Sequence, residues 1–179
     1  MLSLILDTET TGLNPHEDRI VELAFILTDW KEIYGALRTY VNPLYSFTNS
    51  ISNINDKTVE NSPTFAQLLP FTYNLLLYAD EYVAHNWAFD RNFLMAEVER
   101  CALRMPSRMV FDTMKASGGK KLSDACQHYH IDTHDVQWHS ALDDAVATLR
   151  LCRAIRGGKG PDAGEGGSPA REGSFIVRT

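Results

Sequence analysis

The chain has 179 residues, of which 44% are hydrophobic and 22% charged, and its formal net charge at pH 7 is −6. This length and composition are typical of one globular domain and exclude a wholly disordered chain, a collagen and a coiled coil. The acidic balance argues against a broad DNA-coating surface, because such surfaces are basic, but not against a local site where metal ions offset carboxylates.

The lengths of the apolar runs and the number and spacing of the cysteines indicate the cellular compartment. No apolar run in the sequence approaches the roughly 18–20 residues that a membrane helix needs, so we expect no membrane association. The first apolar run lacks a basic flank and ends at Asp7, too soon for a signal peptide. The three cysteines, Cys101, Cys126 and Cys152, are widely spaced and odd in number, which fits neither a disulfide framework nor a metal site. We therefore expect a cytoplasmic protein.

The predicted elements begin with strands and then alternate with helices. Short apolar runs predict strands over residues 2–7, 20–28, 34–41, 81–84 and 109–111. Helical spacing of apolar residues predicts helices over residues 89–103, 122–129 and 141–156. One more helix is predicted after Ser62, and Pro70 predicts that it starts late or kinks. This order indicates a mixed α/β sheet with helices packed on it.

The composition changes near Arg156. Residues 157–179 hold seven of the eleven glycines and two of the seven prolines. Such a segment cannot bury enough apolar surface to offset its ordering entropy, so we predict a domain over residues 1–156 and a flexible tail over residues 157–179. The final SFIVRT stretch is more strand-like, and is either a frayed end or a segment that adds to the sheet edge of a partner.

Three motifs rich in acidic residues lie at predicted element boundaries. Asp7 and Glu9 follow the first strand and point to the same side, and two close carboxylates repel unless a cation lies between them. Their hard oxygen ligands suit Mg²⁺ or Mn²⁺. Alone, this pair is equally consistent with a solvated strand end. Asp90 lies near the start of a predicted helix, where a carboxylate also interacts favourably with the helix dipole.

The third motif surrounds the start of the last predicted helix. Ser140 and Asp143 are spaced like a capping box, which predicts that the helix begins at Ser140. His139 then precedes the helix and can turn towards a site that Asp144 also faces. Histidine titrates near neutrality and can accept a proton from water. Taken alone, His139 is equally a surface histidine, and Asp143 competes with Asp144.

Together, the three motifs resemble those of the DEDDh type of DnaQ-like 3′-to-5′ exonucleases, a family with a ribonuclease H-like fold. The family patterns are D-x-E-T-T-G, H-N-x-x-F-D-x-x-F-L and H-x-x-x-x-D. The matching stretches are DTETTG from residue 7, HNWAFDRNFL from residue 85 and HSALDD from residue 139. The resemblance covers about residues 1–156 and implies an α/β fold, a mixed five-stranded sheet with helices on both faces.

The resemblance also implies roles for single residues. It implies that two Mg²⁺ or Mn²⁺ ions are bound by carboxylates, with His139 as the general base. The implied metal ligands are Asp7, Glu9, Asp90 and Asp144, the family spacing favouring Asp144 over Asp143. The implied pocket for the terminal nucleotide is lined by Thr10, Thr11, Gly12, Leu13, Asn86 and Phe89. The expected substrates are single-stranded DNA or RNA 3′ ends, DNA being favoured, and the products are nucleoside 5′-monophosphates.

Several alternatives accompany this interpretation. The histidine-glycine-isoleucine-threonine segment of many relatives is replaced here by INDKT at residues 54–58, so contacts with the last bases are expected to differ. The alternatives are an exoribonuclease that trims RNA 3′ ends, a module that binds 3′ ends without cutting, and an aspartyl phosphatase. The intact catalytic positions favour the exonuclease, in proofreading, repair or end trimming. The tail suggests tethering to a polymerase or another nucleic-acid-processing protein.

Overall fold

The structure is a computed structural model that describes residues 1–48 and 53–157. Its strands are β1 (Ser3–Thr10), β2 (Ile20–Thr28), β3 (Ile33–Tyr40), β4 (Glu81–Ala84) and β5 (Met109–Asp112). Its helices are α1 (Asp56–Val59), α2 (Phe65–Tyr78), α3 (Trp87–Arg100), α4 (Thr113–Ala116), α5 (Leu122–His128) and α6 (Ala141–Ile155).

The strands described here form one mixed five-stranded sheet in the order β3-β2-β1-β4-β5. The pairs β1–β2 and β2–β3 are antiparallel, whereas β1–β4 and β4–β5 are parallel. The parallel strands require helical crossovers, which α2 and α3 provide. The predicted α/β class and five-stranded mixed sheet are confirmed.

The two faces of the sheet pack against different helices. Leu4 and Leu6 of β1 lie in a buried cluster with apolar residues of α2 and α3, whereas Ile5 packs with apolar residues of α6. This division follows from the strand, because successive side chains point to opposite faces. Helices therefore cover both faces, as the resemblance implies. The end of β1 is held between α3 and α6, the two helices that carry Asp90 and Asp144.

The boundaries of several elements differ from those predicted, and the clearest cases are the end of β1 and the starts of α2 and α3. Strand β1 continues through Thr10, because the residues after Asp7 remain paired with β2. The predicted late start of α2 is wrong: the helix begins at Phe65 behind a reciprocal Thr64–Gln67 capping box and continues through Pro70. Helix α3 begins at Trp87, two residues earlier than predicted. Polar motif residues of β1 and α3 thus lie within regular elements, whose backbone fixes their directions.

Part of the predicted organisation lies outside the described residues. Residues 158–179 are not described, so the flexible tail, its strand-like end and the boundary after residue 156 stay predictions. Among the helices of the described ranges, none has the length and apolar character required to cross a membrane. All three cysteines are free thiols; Cys126 and Cys152 are buried and Cys101 is half-buried.

Candidate active site

Strand β1 positions the first two carboxylates. Asp7 pairs with Ala24 and Glu9 with Glu22 across the antiparallel ladder, and both acidic side chains are half-buried. Because Asp7 and Glu9 are two residues apart on a strand, they project from the same face of the sheet. The fold therefore places two carboxylates side by side at the end of a buried strand.

Helix α3 adds a third carboxylate, which β1 also holds. Asp90 is buried in the first turn of the helix, and the Thr8 hydroxyl donates a 2.8 Å hydrogen bond to its Oδ1 atom. Thr8 lies between Asp7 and Glu9 in the strand. This bond joins the second motif to the first, across 82 residues of sequence.

The turn before α6 brings His139 and Asp144 to the same place. His139 has a φ of 66°, an uncommon left-handed conformation for a residue with a side chain. Its backbone N–H donates a 3.2 Å hydrogen bond to Asp144 Oδ2. One ligand atom from each of Glu9, His139 and Asp144 lies within 4.8 Å of the other two. The structure therefore groups Asp144, rather than its neighbour Asp143, with the β1 carboxylates and the histidine.

The convergence of these acids changes their titration. Burial raises the pKa of Asp7 well above its ordinary value, and the charges of Asp90, Asp144 and Glu9 raise it further. Burial, followed by the charge of Asp144, raises the pKa of Glu9 to about 7. Burial likewise raises the pKa of Asp90 to about 7, against the hydrogen bond from Thr8. Burial raises the pKa of Asp144 to about 6 despite the hydrogen bond from the His139 N–H. The site thus concentrates carboxylates whose charged forms are disfavoured by burial and by mutual repulsion.

The donor set fits a divalent cation. Carboxylate oxygens are the hard ligands that Mg²⁺ and Mn²⁺ prefer. Asp144 Oδ1 is buried and has no hydrogen-bond partner among the residues that the structure describes. A buried carboxylate oxygen without a partner is costly, and a bound cation removes that cost. The residues present therefore suit the metal ions that the resemblance implies.

The raised pKa values predict how pH affects the stability of the metal-free protein. Because the folded state holds protons on Glu9, Asp90 and Asp144 that the unfolded chain releases near pH 4, their contribution to stability falls as pH rises towards about 7. We expect Tm in EDTA to fall by about 5 °C or more between pH 5 and pH 8, and 1 mM Mn²⁺ to reverse the fall at pH 8. Thermal melts across this range test this, and a Tm that is flat in EDTA would contradict it.

The last residue of β1 and the turn after it contain four of the predicted substrate-binding residues. Thr10 Oγ1 donates a 2.6 Å hydrogen bond to the Gly12 carbonyl, and the Thr11 hydroxyl bonds to Asp18 Oδ1 at 3.1 Å. The Asp18 carboxylate lies against Gly12 so closely that a Cβ there would be 2.4 Å from Oδ2. Leu13 is 75% exposed at the tip of this turn. The turn is therefore rigid in its backbone and presents one apolar side chain to solvent.

The two remaining predicted substrate-binding residues differ in position. Asn86 is exposed, has a left-handed φ of 73° and donates its N–H to Asp112 Oδ1 at 3.2 Å. Phe89 is half-buried and stacks on Phe93, with ring centroids 4.9 Å apart. Asn86 therefore shapes the entry to α3, and Phe89 packs on the core beneath it.

The predicted capping box at the start of α6 is wrong. The Ser140 side chain makes no capping hydrogen bond, and its buried Oγ has no partner in the described part of the chain. The first N–H of the helix, on Ala141, donates instead to Glu22 Oε2 at 2.9 Å. Glu22 comes from β2, and the sequence analysis did not select it. The available signal was a charged residue that interrupts the apolar run over residues 20–28.

The ion pair between Arg19 and the buried Glu97, also not predicted, supports the turn after β1. Arg19 donates from Nε and Nη2 to the two carboxylate oxygens of Glu97 at 2.7 and 2.8 Å. Glu97 lies on α3 and is almost fully buried. Fork-shaped pairs of this kind fix orientation as well as distance. This pair therefore ties the end of the turn to the helix that carries Asp90.

Comparison with known proteins agrees with this geometry. The profile of the exonuclease family RNase_T matches residues 4–152. DNA polymerase III subunit epsilon of Treponema pallidum is 36% identical over 155 residues, covering 81% of this chain and 72% of that protein. The chain is also 30% identical to the PolC-type DNA polymerase III of Oceanobacillus iheyensis, but spans only 11% of its length.

Solved structures share the fold. Escherichia coli exonuclease I in complex with a dA16 oligonucleotide has a TM-score of 0.75 at 16% identity, covering 88% of this chain and 41% of that chain. The nuclease domain of 3′hExo, a DEDDh family member bound to rAMP, has a TM-score of 0.70 at 21% identity, covering 87% and 90%. With the family match over most of the described chain, the conclusion is that this chain belongs to the DnaQ-like 3′-to-5′ exonuclease family of the ribonuclease H-like superfamily.

Proposed function

We propose that the protein is a metal-dependent 3′-to-5′ exonuclease that removes nucleoside 5′-monophosphates from single-stranded ends, with DNA as the preferred substrate. The observation that carries this proposal is the grouping of Glu9, Asp144 and His139 within 4.8 Å, together with the half-buried Asp7 and the buried Asp90, whose charges interact. A purely structural acidic cluster would not need a histidine held at its edge in a strained backbone conformation.

In this proposal the four carboxylates hold two Mg²⁺ or Mn²⁺ ions, and each protein group has a separate task. When bound, the cations supply charge neutralisation and Lewis acidity for phosphodiester cleavage. Asp7 and Glu9 provide ligands from the rigid strand β1, and Asp90 and Asp144 provide them from α3 and α6. Thr8 orients Asp90 by its hydrogen bond.

His139 is the general base of the proposal. It precedes α6, is exposed to solvent, and so can reach a water molecule that attacks the terminal phosphodiester. Its imidazole takes the proton of that water, and the oxygen attacks phosphorus as the bond to the leaving 3′ oxygen breaks. The His139 N–H remains bonded to Asp144 Oδ2, which keeps the turn in place. General-base catalysis of this kind contributes about 10²–10⁴-fold to the rate.

The turn after β1 is proposed to bind the terminal nucleotide. Thr10, Thr11 and Gly12 directly follow Glu9 in the chain, and the exposed Leu13 side chain offers an apolar contact to a base. Asn86 and Phe89 support the same pocket from the start of α3.

A Gly12→Ala variant tests this pocket. The new Cβ would displace the Asp18 carboxylate, which Thr11 Oγ1 and the Asn14 N–H hold at 3.1 and 2.8 Å. We expect KM for a single-stranded oligonucleotide to rise about tenfold, the equivalent of one lost hydrogen bond to a charged group, with kcat little changed. Gly35→Ala is the matched control, because no described atom lies within 4 Å of its Cβ. A KM equal to that of the control would contradict the assignment.

Substrate class is tested directly with 5′-labelled DNA and RNA oligonucleotides of one sequence, in Mg²⁺, Mn²⁺ or EDTA, beside Asp7→Ala. The epsilon subunit and the DNA complex of exonuclease I support DNA, whereas the 3′hExo complex with rAMP supports the RNA-trimming alternative. We expect a DNA ladder that shortens from the 3′ end and is abolished by EDTA. Faster RNA shortening would favour end trimming, and binding without shortening would favour a 3′-end-binding module.

Partners and location complete the proposal. Similarity to a polymerase subunit supports association with a polymerase or another nucleic-acid-processing protein, in proofreading or repair. Attachment through the tail over residues 157–179 and a cytoplasmic location stay predictions from composition and cysteine usage. Co-purification of the full chain and of a variant ending at residue 157 with a replicative polymerase tests the tail.

A further inference from the structure

Glu22 is a buried acid beside the catalytic carboxylates, and both of its oxygens are already hydrogen-bonded within the fold. It lies in β2 directly opposite Glu9, and its exposed fraction is 0%. Directly opposed residues of an antiparallel pair project from the same face, so Glu22 faces the site. Both of its oxygens have partners: Oε1 accepts from Arg38 Nε and Oε2 from the Ala141 N–H. Glu22 therefore contributes no free oxygen to the cluster.

The bond from Ala141 gives Glu22 a specific structural task. The first N–H groups of a helix have no partner within the helix and need an acceptor from outside. Ser140 supplies none from its side chain among the described residues, whereas the Glu22 carboxylate accepts the Ala141 N–H at 2.9 Å. A negative charge at a helix N-terminus is also favoured by the helix dipole. The start of α6 is thus capped by a side chain of β2.

This cap lies between the two parts of the catalytic cluster. His139 is two residues before Ala141, and Asp144 is three residues after it. Glu22 is bonded to Ala141 and pairs with Glu9 in the sheet. One carboxylate of β2 therefore links the start of α6 to the strand pair that carries Glu9.

Arg38 restricts the orientation of the Glu22 carboxylate. Its Nε donates to Glu22 Oε1, its Nη2 donates to the Tyr40 hydroxyl at 3.0 Å, and its guanidinium lies 5.2 Å from the centre of the Tyr40 ring. The arginine also offsets a negative charge next to a cluster that is already acidic. A buried carboxylate held from two directions has little freedom to reorient.

We propose that Glu22 is a positioning residue of the exonuclease site: by capping α6, it holds His139 and Asp144 at the distance from Glu9 that metal binding and proton transfer require. This inference rests on the proposed function. Loss of an outer hydrogen-bond partner of a metal site costs about 10–100-fold in metal affinity or activity.

The test compares three variants in the full chain. Glu22→Ala removes the cap, and we expect kcat to fall and the Kd for Mn²⁺ to rise, each by about 10–100-fold, with KM for the oligonucleotide within about twofold of the wild type. Glu22→Gln retains an oxygen for the Ala141 N–H and is expected to recover most of both losses. Glu81→Ala is the matched control, because Glu81 is also buried and paired with an arginine, Arg156 Nη2 at 2.6 Å, but lies beside Ser3 at the other end of β1.

The outcomes distinguish a positioning role of Glu22 from a general loss of stability in the variant. If Glu81→Ala lowers Tm as much as Glu22→Ala but leaves kcat and Mn²⁺ affinity intact, the positioning role is supported. Equal losses in both variants, or wild-type kcat and Mn²⁺ affinity in Glu22→Ala, would overturn it. Should Glu22→Ala not fold, Arg38→Met removes the guanidinium that orients the Glu22 carboxylate and so loosens the cap, and unchanged kcat and Mn²⁺ affinity in that variant would overturn it. A wild-type protein that shortens no oligonucleotide refutes the proposed function instead, and the Mn²⁺ affinities then still test the positioning role.

Discussion

An Asp7→Asn variant is expected to lose exonuclease activity by about three orders of magnitude or more, and to become more stable without metal. The activity falls because an amide is a poorer ligand for a divalent cation, and metal-ion catalysis supplies several kcal/mol of transition-state stabilisation. The stability rises because burial and the neighbouring acids disfavour the charged form of Asp7. At pH 8 in EDTA, we expect Tm to rise by at least about 3 °C, as measured by thermal melts.

Asp143→Asn is the matched control for this prediction. Asp143 is next to Asp144 on α6 but is not part of the group formed by Glu9, His139 and Asp144, and, unlike Asp144, it is not among the charges that raise the pKa of Asp7. We expect it to keep most of the wild-type activity and its Mn²⁺-induced rise in Tm, whereas Asp7→Asn loses both. Activity of Asp7→Asn within tenfold of the wild type would contradict a ligand role. Loss of activity in Asp143→Asn would reopen the choice between the two acids of the third motif.

The sequence predicts the local parts of this molecule well, because the signals are local. The alternation of apolar residues around Leu4, Ile5 and Leu6 predicts a strand buried on both faces, and helices do cover both faces. The projection of Asp7 and Glu9 from the same face of the sheet follows from strand geometry alone. Their convergence with Asp90 and Asp144 was implied by the family resemblance, since neither periodicity nor spacing relates residues about 80 or more positions apart.

The long-range polar contacts could not be predicted in the same way. The Glu22 carboxylate caps a helix 119 residues later, and Arg19 pairs with Glu97 across 78 residues. A capping box satisfies the first N–H groups of a helix with side chains that are close in sequence, and the spacing of Ser140 and Asp143 therefore predicts one. The tertiary structure offered a buried acceptor instead. A lone charged residue within an apolar strand run is therefore a signal of a distant partner, although it does not identify that partner.

The cluster also links stability to function. Carboxylates with pKa values of about 7, 7 and 6 at Glu9, Asp90 and Asp144 lower the stability of the metal-free fold at neutral pH. The same free energy favours cation binding, since a cation removes the repulsion. The Arg38–Glu22 and Arg19–Glu97 pairs, whose glutamates are buried, flank the cluster on β2, β3 and α3. They hold the surrounding backbone in place while the acids repel each other.

A His139→Asn variant is expected to lower kcat by about 10²–10⁴-fold, with little change in KM. Asparagine is chosen because it tolerates the left-handed φ of 66° at this position, so the turn into α6 and the backbone bond to Asp144 are retained. The imidazole that accepts the proton of the attacking water is lost. Single-turnover cleavage of a labelled single-stranded oligonucleotide measures the effect on the chemical step without a contribution from product release.

The position of His139 allows a second role, and the same variant distinguishes the two. A histidine within 4.8 Å of Glu9 and Asp144 could itself bind a metal ion, in which case Mn²⁺ affinity would fall together with kcat. As a general base, His139 can be removed while the Mn²⁺-induced rise in Tm stays at its wild-type value, which is the result we expect. His134→Asn is the control, because this exposed histidine precedes the same helix but bonds to Asp132 at 2.7 Å. Its kcat should equal that of the wild type, since only the histidine beside the carboxylates takes part in proton transfer.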